Sequence, residues 1–234
     1  MKAMILAAGR GERMRPLTDR LPKPLLEVAG RPLIDYHLGN LHAAGVREVV
    51  INLAWLGQRI REFVKDGSRW GLRVHFSDEG REALETAGGI VAAQRWLSSE
   101  PFLVVNGDIY CDFEFSRLRL HPGALATLVL VANPTHHPRG DFSLDAAGIV
   151  GSAPTRLTFS GIAIYDPTLF AGLASGKRKL LDVLAPEISA GRIMGVRHDG
   201  LWHDVGTPER LRDLDRQVRL ATASEHEMPY RCPT

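Results

Sequence analysis

The sequence predicts an α/β fold: one Rossmann-like domain with a mixed, mainly parallel sheet and helices on both of its faces. Three observations predict it. Short apolar runs alternate with stretches of helical periodicity about 10 to 15 residues long, the order that builds βαβ units with right-handed crossovers. The first run ends in a glycine-rich turn, and open sheets of this kind bind ligands at the carboxyl ends of their strands. At 234 residues the chain is long enough for one large buried core and short for two. The domain is expected over residues 1–221, with residues 222–234, ending MPYRCPT, as a C-terminal tail.

In chain order, Ala3–Ala8 is an apolar strand that breaks into Gly9-Arg10-Gly11-Glu12-Arg13-Met14-Arg15-Pro16. Leu33, Ile34, Leu38 and Leu41 have helical spacing, and Gly45 stops that helix. Glu48–Leu53 is β-branched, hence a strand; Ile60, Phe63 and Val64 mark a second helix; Leu72–Ser77 alternates as a third strand. The polar stretch Ser77–Gly89 leads into a helix from Thr86, its expected N-cap, to Leu97. Phe102–Val105 has the fully apolar composition of a central parallel strand and ends in Asn106-Gly107-Asp108. Ala124–Ala132 is a further strand, Leu144–Val150 a hairpin tip, and Phe159–Tyr165 a strand in which Gly161 marks a bulge or a close backbone approach. Asp166-Pro167 opens a helix, Leu180–Ser189 is another, and Ile193–Arg197 is a late strand.

Composition excludes several classes of function. Lysine and arginine exceed aspartate and glutamate by only two, so there is no basic stripe for nucleic acid and no polybasic membrane surface. No apolar run approaches the roughly 18 residues that span a bilayer, and no secretory leader pattern opens the chain, so a cytoplasmic protein with no membrane partner is expected. Cys111 and Cys232 are too far apart in sequence to form a CxxC, and Cys111 reads as a small buried hydrophobe. The pair His136-His137 has no cysteine or further histidine at a ligand spacing, which argues against zinc.

The chemistry is concentrated at the first turn. Glycine tolerates unusual dihedrals and lets backbone N–H groups approach an anion, and Arg13, Arg15 and Lys23 place cations beside it. This is neither a GxxxxGK[ST] P-loop nor a dinucleotide GxGxxG, because Met14 stands where the third glycine belongs. Asp108, directly after a buried strand, sits at the ligand-bearing edge of the sheet, where a lone acid reads as a cap or turn residue or as a ligand of a bound cation.

Leu6–Thr18, LAAGRGERMRPLT, followed by Pro22-Lys23-Pro24-Leu25, resembles the signature of the sugar-1-phosphate nucleotidyltransferases. VNGD before Ile109, the FSGI strand and the WHDVGTP element at Trp202–Pro208 extend the resemblance along nearly the whole chain. It implies a nucleotide-diphospho-sugar transferase fold and an enzyme that joins a nucleoside triphosphate and a sugar 1-phosphate with release of pyrophosphate. It implies Arg13 and Lys23 as the catalytic cations, and Ala7, Ala8, Gly9, Gly11, Glu12, Arg13, Lys23, Thr86 and Gly88 around the nucleotide. It further implies Asn106, Asp141, Gly161 and Lys179 at the sugar, and Asp108 and Asp204 as ligands of Mg²⁺. Relatives typically carry Gly-Thr in the loop beside the base, where this chain has Glu85-Thr86. Gly176-Lys177-Arg178-Lys179 is basic where relatives acting on neutral glucose phosphates are acidic, and LAWLGQ, LETAGG and NPTHHPRGDF add a closer likeness to the branch that serves peptidoglycan recycling. That branch implies UTP and N-acetylmuramic acid 1-phosphate, with Lys179 as partner of the lactyl carboxylate. Glucose-1-phosphate thymidylyl- or uridylyltransfer and mannose-1-phosphate guanylyltransfer are the alternatives within the family. A GT-A glycosyltransferase is the rival from another class, but its usual Asp-x-Asp is missing, since Asp108 and Asp112 are four apart. A monomer is expected.

Overall fold

Strands that are apolar on both faces have to be covered on both, and this requirement organises the molecule. The computed structural model describes residues 1–80, 82–97 and 100–226. In order the elements are β1 (Lys2–Leu6), the small hairpin β2 (Glu27–Val28) and β3 (Arg31–Pro32), α1 (Leu33–Ala43), β4 (Glu48–Leu53), α2 (Gly57–Val64), β5 (Arg73–Asp78), α3 (Glu85–Ala92), α4 (Gln94–Leu97), β6 (Phe102–Asn106) and β7 (Ile109–Cys111). Then follow β8 (Ala126–Val131), β9 (Ser143–Leu144), β10 (Val150–Gly151), β11 (Thr158–Tyr165), α5 (Leu180–Ser189), β12 (Ile193–His198), β13 (Trp202–Asp204) and α6 (Pro208–His226).

Seven strands form one sheet in the order β12-β8-β11-β6-β1-β4-β5. All neighbouring pairs are parallel except those of β11, which runs antiparallel to both β6 and β8. The expected mixed, mainly parallel sheet is therefore what the chain forms.

Side-chain alternation assigns the two faces. Ala3, Ile5, Val49, Ile51, Leu103 and Val105 pack with Ile34, Leu38 and Leu41 of α1 and Ile60 and Val64 of α2. Met4, Val50, Phe102 and Val104 point the other way, onto Ala87 and Ile90 of α3 and Val183 and Leu184 of α5. Ile51 is fully buried, and trimming such a side chain to alanine removes roughly 2–5 kcal/mol of stability. A smaller third cluster joins Met14, Val28 and Leu33 to Val205, Leu214 and Val218, which docks α6 beside the first loop.

Two local expectations are corrected. Thr86 does not cap a helix running to Leu97: α3 begins at Glu85 with Leu84 in the capping position and no side-chain cap, and the helical stretch is broken at Ala93 before α4. The predicted tail begins too early, because α6 continues through residues 222–226; residues 227–234, including Cys232, lie outside the described residues. Cys111 is buried, and burial pushes its thiol up to about 12, so it packs as a small hydrophobe. No helix among the described residues is long and apolar enough to cross a membrane.

Candidate active site

The order of the strands reverses beside β1: the chain first adds β4 and β5 on one side, then β6 on the other. A crevice opens outside the carboxyl ends of the strands at such a point. Here it is a cavity of about 640 Å³ lined by Leu6, Ala7, Ala8, Gly9 and Arg10 after β1, Asn52 at the end of β4, Glu79 after β5, and Asn106 and Asp108 after β6. Lys23, Pro24, Glu82, Ala83, Glu85, Thr86 and Lys177 complete its walls. A second cavity of about 250 Å³ shares Gly9, Lys23 and Asp108 with the first, and adds Gly11, Glu12, Arg13, Met14 and Gly206.

Each wall has a physical reason for its shape. Gly11 adopts φ 70°, and a β-carbon there would stand 2.9 Å from Thr18 Cγ2, so the turn needs glycine; Thr18 Oγ1 donates to the Gly11 carbonyl at 2.8 Å. The Arg10 guanidinium lies over the Trp55 ring, 3.4 Å from its centroid, and Trp55 Nε1 donates to the Thr18 carbonyl at 2.9 Å. Lys23, only 8 % exposed, sits in a helical turn between two prolines and places Nζ 2.5 Å from Asp108 Oδ2. Gly161, at φ 83°, occupies the bulge in β11, where a β-carbon would meet Asn106 Nδ2 at 2.5 Å; the glycine leaves room for the Asn106 side chain at the cavity.

A buried polar chain ties the walls together. Asn52 Oδ1 accepts the Ala7 N–H at 2.6 Å, Asn52 Nδ2 donates to Glu79 Oε1 at 2.7 Å, and Glu79 Oε2 accepts the Leu84 N–H at 2.7 Å. Gly89 makes space for it, since a β-carbon there would lie 2.6 Å from Glu79 Oε1. Burial holds the Glu79 carboxyl above its usual range, against the lowering effect of these two hydrogen bonds. Charge is thus segregated by segment. Cations Arg10, Arg13 and Lys23 come from the loop after β1, and acids Glu79, Glu82 and Glu85 from the β5–α3 connection. An anion is attracted to the first segment, and hydroxyl or N–H donors to the second.

Of the residues expected from sequence, Ala7, Ala8, Gly9, Lys23, Thr86, Asn106 and Asp108 line the larger cavity, and Gly11, Glu12 and Arg13 the smaller. Five others line neither cavity, among them Gly161 in the bulge of β11 against Asn106. Gly88 is buried beneath the 176–178 segment, with a built β-carbon 2.3 Å from the Gly176 carbonyl oxygen. Asp141 holds its own loop: Oδ1 is 3.0 Å from His137 Nε2 and Oδ2 accepts the Phe159 N–H at 2.8 Å. Lys179 is the exposed residue preceding α5 and lines neither cavity, whereas Lys177 does line one. Asp204 stands opposite Ile109 in the β7–β13 pair, and the Val205 N–H donates to the Asp108 carbonyl at 2.9 Å, so the two acids are backbone neighbours. The Asp204 side chain, outside both cavities, is held by Arg210 and by His136, whose Nε2 is 3.0 Å away.

Sequence reasoning missed Asn52, Glu79 and Lys177. Asn52 carries one detectable signal, a polar residue near the end of an apolar strand, whereas Glu79 follows the largely polar β5 and carries none. Lys177 carries none beyond its membership of a basic run.

Residues 2–142 match the family described as Nucleotidyl transferase. The chain is 50 % identical to the N-acetylmuramate alpha-1-phosphate uridylyltransferase of Neisseria meningitidis serogroup B, over 91 % of this chain and 96 % of that one. It is 35 % identical to the protein of the same name from Caulobacter vibrioides, over 94 % and 97 % of the two chains. A Bacillus anthracis protein described as a glucose-1-phosphate thymidylyltransferase, solved with sucrose, superposes with a TM-score of 0.81 at 18 % identity, covering 99 % of this chain and 98 % of that one, and shows the shared fold.

Proposed function

Because the chain belongs to the nucleotidyl transferase family, we propose that it joins UTP and N-acetylmuramic acid 1-phosphate to give UDP-N-acetylmuramic acid and pyrophosphate. The observation that carries the reading is the placement of Arg10, Arg13, Lys23 and Asp108 around two adjoining cavities at the ends of β1 and β6, in a chain half identical to a uridylyltransferase over nearly its full length.

In this reading an oxygen of the sugar phosphate attacks the α-phosphorus in line. The new P–O bond forms as the bond from the α-phosphorus to the bridging oxygen breaks, and pyrophosphate leaves. No protein nucleophile is required. Two anions have to approach each other, so catalysis rests on positioning and on charge placed where the leaving group becomes more negative. Arg13, beside the glycine turn, holds the β- and γ-phosphates. Lys23 reaches the phosphates that react, and its pairing with Asp108 fixes its ammonium at the edge of β6. Glu79, Glu82, Glu85 and Thr86 face the base and ribose with acceptors.

Asp108 and Asp204 would hold Mg²⁺: both offer hard carboxylate oxygens, both are partly exposed, and their backbones are neighbours, with Asp108 now paired to Lys23 and Asp204 to Arg210 and His136. When bound, the ion supplies neutralisation of triphosphate charge.

The reading is tested by measuring pyrophosphate release over a matrix of UTP, dTTP, CTP and GTP against several sugar 1-phosphates, N-acetylmuramic acid 1-phosphate among them. The largest kcat/KM is expected for UTP with the muramic sugar. A preference for glucose 1-phosphate or N-acetylglucosamine 1-phosphate overturns the choice of sugar, and release of nucleoside diphosphate from a nucleotide sugar overturns the class of reaction.

A further inference from the structure

Gly176–Arg178 forms a strap across the start of α3. The Arg178 N–H donates to the Leu84 carbonyl at 3.0 Å, and the Gly88 N–H donates to the Arg178 carbonyl at 3.2 Å. Gly88 permits this closeness, since a β-carbon there would stand 3.1 Å from Arg178 N as well as 2.3 Å from the Gly176 oxygen. The strap is therefore fixed by backbone hydrogen bonds on both sides of Lys177's neighbour, and Lys177 lines the same cavity as Asn106 and Asp108.

Lys177 differs from the other cations of this cavity. Lys23 is paired with Asp108, and Arg10 with Glu12, Asp19 and the face of Trp55. Lys177 makes no ion pair among the described residues, although Glu79, Glu82, Glu85 and Asp108 line the same space. An ammonium carried into a ligand cavity by a fixed strap and left without a carboxylate of its own chain suits a carboxylate on the ligand. The loop after β1 already supplies cations for phosphate. N-acetylmuramic acid 1-phosphate differs from N-acetylglucosamine 1-phosphate by one lactyl group, whose carboxylate is the single additional charge.

We propose that Lys177 is the specificity-determining residue for the sugar, pairing with the carboxylate that separates acidic sugar 1-phosphates from neutral ones. The proposal rests on the uridylyltransferase reading above and places this role on Lys177 in preference to Lys179. A competing like-charged residue at this position would repel the acidic sugar, so the sign of the charge sets the selectivity.

The test is the ratio of kcat/KM for N-acetylmuramic acid 1-phosphate to that for N-acetylglucosamine 1-phosphate, measured with UTP in wild type, Lys177→Met, Lys177→Glu, Lys177→Arg and Lys179→Met. Losing a charge-assisted hydrogen bond lowers the ratio at least ~10-fold in Lys177→Met, through the KM of the acidic sugar. Lys177→Glu lowers it further, and Lys177→Arg restores most of it. A merely structural role of the strap would lower both sugars together and leave the ratio standing, which overturns the proposal. So does a collapse of the ratio in Lys179→Met with none in Lys177→Met. If wild type has no preference for the acidic sugar, the reading of the function is what fails; a wild-type preference that survives in Lys177→Met sinks the present inference alone.

Discussion

Lys23 Nζ lies 2.5 Å from Asp108 Oδ2, joining the loop after β1 to the end of β6 across the crevice between two parallel strands. The Lys23 side chain is 10 % exposed and that of Asp108 38 %, so the pair has a protein side and a cavity side. Asp108→Asn keeps an acceptor for Lys23 and removes the negative charge. Turnover in pyrophosphate release with Mg²⁺ should fall at least ~10²-fold, the scale of losing one electrostatic element at such a site. The melting temperature should move little. Near-normal turnover would remove Asp108 from the metal and from catalysis together.

Arg13 lines the smaller cavity with Gly9, Gly11 and Gly206, away from the acids of the β5–α3 connection. A contact there reaches phosphates, which every nucleoside triphosphate shares. Arg13→Ala should lower kcat/KM by about 10²-fold for UTP and for dTTP alike. A change in the ratio between the two nucleotides would mean that Arg13 meets the base or ribose.

Much of this architecture is legible in the sequence because its signals are local. EVVINL forms β4 over Glu48–Leu53, and the helical run Leu180–Ser189 forms α5 with the expected bounds. The site is legible where one motif carries it, as in Gly9–Arg13. It is obscure where distant segments meet. Asn52 and Glu79 are 27 residues apart and touch only because β4 and β5 end at the same edge. Lys177 and Lys179 are alike in sequence, and only the hydrogen bonds of Arg178 and Gly88 decide which of them lines the cavity. The reach of α6 to His226 was hidden by its polarity; part of its support comes from i,i+4 pairs such as Asp215–Arg219 at 2.8 Å.

Asn52 is 3 % exposed and satisfies one donor and one acceptor from two walls of the site. Asn52→Ala leaves the Ala7 N–H and one oxygen of Glu79 without partners, a loss of roughly 2–4 kcal/mol if neither is rehydrated. Urea unfolding measures it. A variant within ~0.5 kcal/mol of wild type would show that water replaces the amide freely.

Glu85 holds φ 63° at the first position of α3, a left-handed conformation that a side chain disfavours. Glycine adopts that φ without penalty. Glu85→Gly should therefore stabilise the fold by about 1 kcal/mol, or roughly 2–4 °C in Tm for a chain of this size. The same change removes an acceptor from the cavity wall, so KM for UTP should rise while Tm rises. A fall in Tm would show that contacts of the Glu85 side chain outweigh its backbone strain.

His37 supplies the clearest dependence of stability on pH. It lies on α1, is 3 % exposed, and its Nε2 has no hydrogen-bond partner among the described residues. Burial lowers its pKa from 6.5 to about 4, outweighing the charge of Asp108 and a hydrogen bond to the Ile109 backbone, both of which favour the proton. The folded chain thus keeps a neutral imidazole where the unfolded chain binds a proton. Between pH 6.5 and about 4 the unfolded state carries more protons, so stability falls as the solution is acidified through this window. The full loss across it is on the order of 3 kcal/mol. At Asp35 burial is outweighed by hydrogen bonds from Arg31 and Arg69, which hold the carboxyl below 3.8; its own loss begins only beneath that pH, so the two contributions are separable. His37→Gln removes the titrating group while keeping a polar side chain of similar reach. Denaturant midpoints measured from pH 7 to pH 4 should fall steeply for wild type and markedly less for the variant; parallel curves would mean that the imidazole takes up its proton within the fold.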